Sequence, residues 1–73
     1  MEIFSQRLLA LRSQKGLSQS AVAVAVGLGL RTYQYYERGE REPQLSTLVK
    51  MADFYEVSLD YLAGRGETRQ RQP

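Results

Sequence analysis

The sequence predicts an all-α fold, a compact bundle of five short helices. Apolar residues recur three or four positions apart along much of the chain, as in the stripe formed by Phe4, Leu8 and Leu11. Serine precedes two of the periodic segments and glycine follows four of them, which is how short helices commonly begin and end. With 73 residues, the chain can form one domain with one small core.

The first helix is predicted to run from residue 2 or 3 to Lys15 and to end at Gly16. Its buried stripe is the one already described, with Ile3 at its flank. Arg12 directly follows the last apolar residue of that stripe. Its stem can therefore lie along the core while its guanidinium reaches a partner, although a solvated surface cation is the plainer interpretation.

Two shorter helices joined by a tight turn come next. Ser18 can cap the earlier one and Gly27 closes it, while the later one is predicted over about residues 30–38, before Gly39. The spacing points one face of this pair inward, and that face comprises Val22, Val26, Leu28, Tyr33 and Tyr36.

Residues 21–26 also fit a different interpretation, because they alternate strictly between alanine and valine. A period of two with β-branched residues favours a strand. The serine cap, the glycine stop and the helical patterns on both sides favour a helix, and alanine is the best helix former. We therefore predict a helix here.

The fourth helix is predicted from Gln44 or Leu45 to Tyr55, after a loop that ends at Pro43. Its broad apolar face comprises Leu45, Leu48, Val49, Met51, Ala52 and Tyr55. Ser58 then caps a last helix over residues 59–63.

Residues 1–64 make up the predicted domain, and Gly64 ends its last helix. Val57, Leu59 and Leu62 are expected in its core. Residues 65–73 are polar and charged without an apolar anchor, so we predict a disordered tail.

The residue types present argue against an enzyme. The chain has neither cysteine nor histidine, which removes the thiol nucleophile, the usual general base and the commonest metal ligands. We expect no metal and no cofactor. The longest apolar stretch, residues 21–30, is far shorter than the roughly 20 residues that a membrane helix needs, and we expect a cytoplasmic protein.

Charge is unevenly distributed along the chain. Between residues 7 and 41 six cations accompany two anions, whereas between residues 42 and 64 one cation accompanies four anions. A basic front half is consistent with binding a polyanion there. The same charges could equally serve only to solvate helix faces.

The helix over residues 30–38 has an outer face suited to DNA. That face carries Leu30, Arg31, Gln34 and Tyr35, and a helix with an Arg and polar side chains in front can enter a major groove. Ser18 and Gln19 lie where a helix start could contact a phosphate oxygen, although Ser18 could be only a cap. Arg38 and Arg41 could rest on the sugar-phosphate backbone.

Several short motifs at fixed offsets resemble the lambdoid-repressor and Cro-like (Xre-type) helix-turn-helix family. They are Leu17-Ser18-Gln19, Ala23, Gly27, Tyr36-Glu37-Arg38-Gly39, Arg41-Glu42-Pro43 and the Val-Ser-Leu-Asp-Tyr-Leu run at 57–62. The similarity covers about residues 4–64. It implies a five-helix domain whose third helix enters the major groove of double-stranded DNA, and a homodimer that recognises a two-fold operator.

The resemblance also assigns roles to individual positions. The phosphate anchor of the family falls on Gln19, and its base-reading positions fall on Leu30, Arg31 and Tyr35. Thr32 and Gln34 fall near the DNA backbone, and the structural ion pair of the family falls on Arg12 and Glu37.

This chain departs from the family pattern at three places. Gly29 replaces the Ser or Thr that usually caps the recognition helix, which costs only about a few tenths of a kcal/mol. Leu30 and Tyr35 replace residues that are more often polar. Val24 and Ala25 make the outer face of the second helix unusually apolar, which is either a partner surface or a tolerated bare face.

Two functions follow as hypotheses. One is a homodimeric transcriptional repressor that pairs through an apolar patch including Tyr61 and Phe54. The alternative is an antitoxin-like or co-regulator module that mainly binds another protein, through Val24 or through the last two helices.

Overall fold

The computed structural model describes residues 2–70 and contains five helices. They are α1 (Glu2–Lys15), α2 (Gln19–Ala25), α3 (Leu30–Glu37), α4 (Leu45–Tyr55) and α5 (Leu59–Ala63). No strand occurs in this part of the chain, so the all-α prediction is confirmed. The alternating alanines and valines are helical, and no helix in residues 2–70 has the length and apolarity to cross a bilayer.

Side-chain caps begin two of the helices, as predicted. The Ser18 hydroxyl accepts a hydrogen bond from the Ala21 amide at 3.0 Å, and the Ser58 hydroxyl accepts one from the Tyr61 amide at 3.0 Å. Gly29 precedes α3 without a side-chain cap. Directly after α4 the chain turns at Glu56, and the φ of 55° at this position is unusual for a residue other than glycine.

The five helices pack around one core. α1 packs against α3 and α5, α2 packs against α3, and α4 packs against α5. The buried apolar side chains are Phe4, Leu8, Leu11, Val22, Ala23, Val26, Tyr33, Tyr36, Leu48, Met51, Ala52, Tyr55, Val57 and Leu62. Leu28 and Leu59 are half-buried against them. The predicted inward faces therefore account for most of the core.

The apolar face of α4 is narrower than its sequence indicates. Its buried residues follow one stripe at helical spacing, whereas Leu45 is 68% exposed and Val49 is 38% exposed. Leu45 opens the helix, and Val49 is rotated by about 100° from Leu48 around the helix axis. Both side chains therefore remain accessible to solvent.

The C-terminal segment, defined as residues 65–70, lies against the domain. Arg7 of α1 donates hydrogen bonds to the carbonyl oxygens of Tyr61 and, at 2.6 Å, Gly66. The Ser58 amide donates to the Arg69 carbonyl at 2.7 Å and the Ser58 hydroxyl donates to the Thr68 carbonyl at 2.8 Å. The disorder predicted for residues 65–73 stays a prediction, and residues 71–73 lie outside the described part.

Replacing Arg7 with alanine is expected to loosen the C-terminal segment, because one side chain joins α1, α5 and that segment. We expect a loss of about 1–2 kcal/mol of unfolding free energy, since bonds from a charged donor are stronger than neutral ones. Amide exchange should also become faster at Ser58. Chemical denaturation and hydrogen exchange would measure both effects.

Glu67→Ala is the matched control. Its carboxylate contacts the same guanidinium at 3.4 Å but is 96% exposed, so its removal should change stability little. If Arg7→Ala and Glu67→Ala lowered the stability equally, the hydrogen bonds from Arg7 to the carbonyl oxygens would not be what holds the C-terminal segment.

Candidate nucleic-acid interface

The turn between α2 and α3 sets the direction in which α3 projects. Gly27 has φ of 72°, a conformation that glycine adopts without steric cost. This allows the Leu28 amide to donate to the Ala23 carbonyl at 2.8 Å and the chain to reverse. Val22 and Tyr33 are fully buried where the two helices meet. α3 is therefore held at its back by packing.

The opposite side of α3 is open to solvent. Leu30 is 42% exposed, Arg31 is exposed, and Thr32, Gln34 and Tyr35 are half-buried. The first two lie in the opening turn of the helix, and Gln34 follows Leu30 by four residues, about one turn further along. The α3 residues to which the resemblance assigns DNA contacts are thus exposed or half-buried.

Beneath this face, the Glu37 carboxylate joins three helices. It accepts hydrogen bonds from Arg12 Nε at 2.5 Å, Arg12 Nη2 at 3.1 Å, Gln19 Nε2 at 3.1 Å and the Tyr33 hydroxyl at 2.6 Å. Arg12 also donates to the Leu17 carbonyl at 2.9 Å. The Arg12 and Glu37 side chains are 18% and 5% exposed. The ion pair implied by the resemblance is formed, within a larger polar network.

The charges of this network follow from its surroundings. Burial alone would raise the pKa of Glu37, but hydrogen bonds from Arg12, Tyr33 and Gln19 outweigh it and hold that pKa below its ordinary value of 4.5. Burial, and then the hydrogen bond to Glu37, raises the pKa of the Tyr33 hydroxyl. Near neutral pH the carboxylate is therefore ionised and the phenol keeps its proton as a donor.

Gln19 has a role that sequence reasoning missed. Its amide nitrogen donates to Glu37, and its amide oxygen accepts from Gln34 Nε2 at 3.1 Å. Both ends of the side-chain amide are thus tied to α3, and its orientation is set before any ligand binds. The signal available in the sequence was the spacing of Gln34 and Glu37, which places both on one side of α3.

Tyr35 lies beneath two cations from the end of α3 and the loop that follows. The Arg41 guanidinium carbon is 4.1 Å from the centre of its ring, and that of Arg38 is 5.6 Å away. Arg38 Nε also lies 3.4 Å from a carboxylate oxygen of Glu40. The resemblance did not indicate this arrangement.

The two residues predicted to join the subunits of a dimer are both half-buried. Phe54 packs edge-to-face on Tyr55, with ring centres 4.9 Å apart. The Tyr61 ring lies 4.1 Å from the Arg7 guanidinium carbon. Val24 on α2 is 80% exposed, as expected for the outer face of that helix.

Residues 8–62 match the sequence profile of the helix-turn-helix family. The chain is 39% identical over 66 residues to the cryptic phage CTXphi transcriptional repressor RstR of Vibrio cholerae, covering 90% of this chain and 60% of that protein. It is 35% identical over 66 residues to the transcriptional regulator ImmR of Bacillus subtilis, covering 90% of this chain and 52% of that protein. The chain therefore spans a little over half the length of these two transcriptional regulators.

Two solved structures share the fold. One is the DNA-binding domain of the P22 c2 repressor, with a TM-score of 0.81, 27% identity, and coverage of 96% of this chain and 91% of that one. The other is a transcriptional regulator from Listeria innocua, also with a TM-score of 0.81, with 30% identity and coverage of 88% and 60% of the two chains. Five helices, a packed α2-turn-α3 unit and these similarities lead to one conclusion: the chain belongs to the Xre-type helix-turn-helix family of DNA-binding transcriptional regulators.

Proposed function

We propose that this protein represses transcription by binding a short palindromic operator as a homodimer, with α3 in the major groove. The observation that carries the proposal is the contrast between the two sides of α3. Tyr33 and Tyr36 are buried in the core, whereas Leu30 and Arg31 are exposed to solvent. A helix fixed in this way can present side chains to base edges without first becoming ordered. We place this activity in the cytoplasm.

Leu30, Arg31 and Tyr35 are the proposed base-reading residues. Arg31 can donate two hydrogen bonds to O6 and N7 of a guanine, a pairing that other base pairs do not offer in the major groove. Leu30 can pack on a thymine methyl group. These two side chains would read adjacent parts of each half-site.

The DNA backbone is assigned to polar and cationic side chains around α3. The side chain of Gln19 is held by Glu37 and Gln34, so its contact with a phosphate would require little further ordering. The complete proposed set is Ser18, Gln19, Thr32, Gln34, Arg38 and Arg41. Contacts of this kind set the register of the protein on DNA without specifying sequence.

Selection from a pool of random duplexes, at two salt concentrations, tests the proposal. We expect a palindrome to be enriched, with an affinity that falls steeply as salt increases. Weak binding without sequence preference at either salt concentration would contradict a role in operator recognition. The half-site recovered would show what α3 reads.

Pairing of two copies is proposed to involve Phe54 and Tyr61. A groove between α4 and α5 is lined by Val49, Ala52, Val57 and Leu59 together with Asp53, Ser58 and Asp60, and the apolar part of this surface favours association. We expect sedimentation equilibrium to show a dimer at tens of micromolar, and Phe54→Ala to weaken it about 10-fold or more, the effect of truncating a hot-spot residue of an interface.

Val24→Ala is the control for this experiment, because Val24 is exposed on a different helix. It should leave the dimer unchanged. A wild-type protein that remains monomeric at these concentrations in low salt would contradict the proposed pairing.

A further inference from the structure

The chain leaves α3 through a turn that folds the following loop back over the helix. Gly39 has φ of 74°, and its amide donates to the Tyr36 carbonyl at 3.2 Å. The Glu40 amide donates to the Tyr35 carbonyl at 2.9 Å. This is the hydrogen-bond pattern of a glycine-terminated helix, and it reverses the backbone. Arg41, two residues after the glycine, consequently lies over the ring of Tyr35.

The two cations near that ring are not equivalent. Arg38 has Glu40 as an ion-pair partner at 3.4 Å. Among residues 2–70, no carboxylate lies within ion-pair distance of Arg41, which is exposed. Its contact with the Tyr35 ring is also the closer of the two, at 4.1 Å. Arg41 is therefore an ordered cation whose charge remains available to an anion.

We propose that Tyr35 is a positioning residue that holds Arg41 for contact with a DNA phosphate. This role rests on the proposed function, and it is additional to any contact between Tyr35 and a base. A guanidinium stacked on an aromatic face still presents its N–H groups around its edge, where phosphate oxygens can accept them. Because the stack already restricts the long Arg41 side chain, less conformational entropy is lost when the phosphate contact forms.

Two substitutions of Tyr35 separate the ring from its hydroxyl. Tyr35→Phe keeps the aromatic face and removes the group that could hydrogen-bond to a base. Tyr35→Leu removes the face while keeping an apolar side chain that is compatible with a helix. The positioning role requires the ring alone, whereas base reading through a hydrogen bond requires the hydroxyl.

The stack is tested first in the free protein by NMR. We expect ring-current shifts of the Arg41 δ-methylene protons in wild-type and Tyr35→Phe proteins, and their loss in Tyr35→Leu. Unshifted Arg41 protons in the wild-type protein would overturn the proposal. This measurement does not depend on DNA binding.

The affinity of four variants is measured next, each for the selected duplex and for a random duplex. The variants are Tyr35→Leu, Tyr35→Phe, Arg41→Ala and the double variant that combines Tyr35→Leu with Arg41→Ala. We expect Tyr35→Leu to weaken binding to both duplexes by about 2- to 5-fold, because the strength of an exposed cation–π contact limits how far the ring can restrict the Arg41 side chain before binding. On the random duplex, which offers no cognate base to the hydroxyl, Tyr35→Phe should weaken binding less than Tyr35→Leu does. In the Arg41→Ala background, Tyr35→Leu should weaken binding to the random duplex less than it does when Arg41 is present, because nothing is left for the ring to position. Arg41→Ala should lower the salt slope by about 1.

Three outcomes of the affinity measurements would overturn the positioning role. Tyr35→Phe could weaken binding to the random duplex as much as Tyr35→Leu, which would assign the effect to the hydroxyl. Tyr35→Leu could weaken binding equally with and without Arg41, which would assign the loss of affinity to packing or to a direct contact with DNA. Tyr35→Leu could also leave the affinity for both duplexes unchanged. In each of these cases the wild-type protein still binds DNA, so the proposed function survives. If the wild-type protein bound no duplex, that result would contradict the proposed function and the positioning role together.

Discussion

Glu37→Ala is expected to lower the unfolding free energy by about 2–4 kcal/mol, a large fraction of the stability of a small domain. The substitution leaves three side chains, Arg12, Gln19 and Tyr33, without the acceptor they share. Unpaired buried donors cost more than the bonds themselves contribute. The expected loss is below that of a fully buried pair because the Arg12 side chain is 18% exposed. Thermal and chemical denaturation would measure it.

Glu40→Ala is the matched control for this substitution. Glu40 also forms an ion pair with an arginine, at 3.4 Å, but its side chain is 52% exposed. Its removal is expected to change stability by no more than about 1 kcal/mol. If Glu37→Ala cost no more than the control, the network would not be what joins α1, α2 and α3.

The same network predicts a pH dependence with a definite sign. The pKa of Glu37 is lowered in the folded protein from 4.5, so folding favours the ionised carboxylate. Its contribution to stability is therefore complete above pH 4.5 and is lost as the pH falls through the lowered folded value. The difference in stability between wild type and Glu37→Gln should shrink on acidification below pH 4.5. A difference that stayed constant or grew would contradict this assignment.

Arg31→Ala is expected to have the largest effect on DNA recognition. Arg31 is exposed in the first turn of α3 and makes no contribution to the buried core, so the domain should remain folded. Loss of a bidentate guanine contact should remove about 1–3 kcal/mol of discrimination at one base pair of each half-site. Repeating the duplex selection with the variant would show that position becoming degenerate while the other positions are retained.

Arg31→Lys separates the charge of this residue from its geometry. Lysine keeps the cation but cannot present the planar pair of donors, so affinity should fall less than in Arg31→Ala while preference at the same base pair still weakens. Unchanged base preference in both variants would remove Arg31 from the base-reading set.

Local features of the sequence were sufficient to predict the helices. Ser18 and Ser58 satisfy free amides at helix starts, and Gly27 and Gly39 allow the left-handed turns that end helices. These effects act over three to five residues, so they can be inferred without knowing the fold. The stripe of Phe4, Leu8 and Leu11 likewise predicted which face of α1 is buried.

The candidate site was partly predictable, because helical periodicity shows which side chains share a face. It assigned Leu30 and Arg31 to the exposed face and Tyr33 to the buried one, and the exposure of these three residues in the structure agrees. It could not show what meets that face from other helices. The bond between Gln19 and Gln34, and the Tyr33 hydroxyl on Glu37, were therefore not foreseen.

The order of residues was enough to predict the helices, most of their buried faces and, through the resemblance, the ion pair between Arg12 and Glu37. The contact of Arg7 with Gly66, 59 positions later in the chain, and the stacking of Arg41 on Tyr35 became visible only in the folded chain. Long cationic side chains have many rotamers and several acceptors within reach. Which acceptor they meet depends on the relative placement of packed helices and loops, and no local pattern encodes that placement.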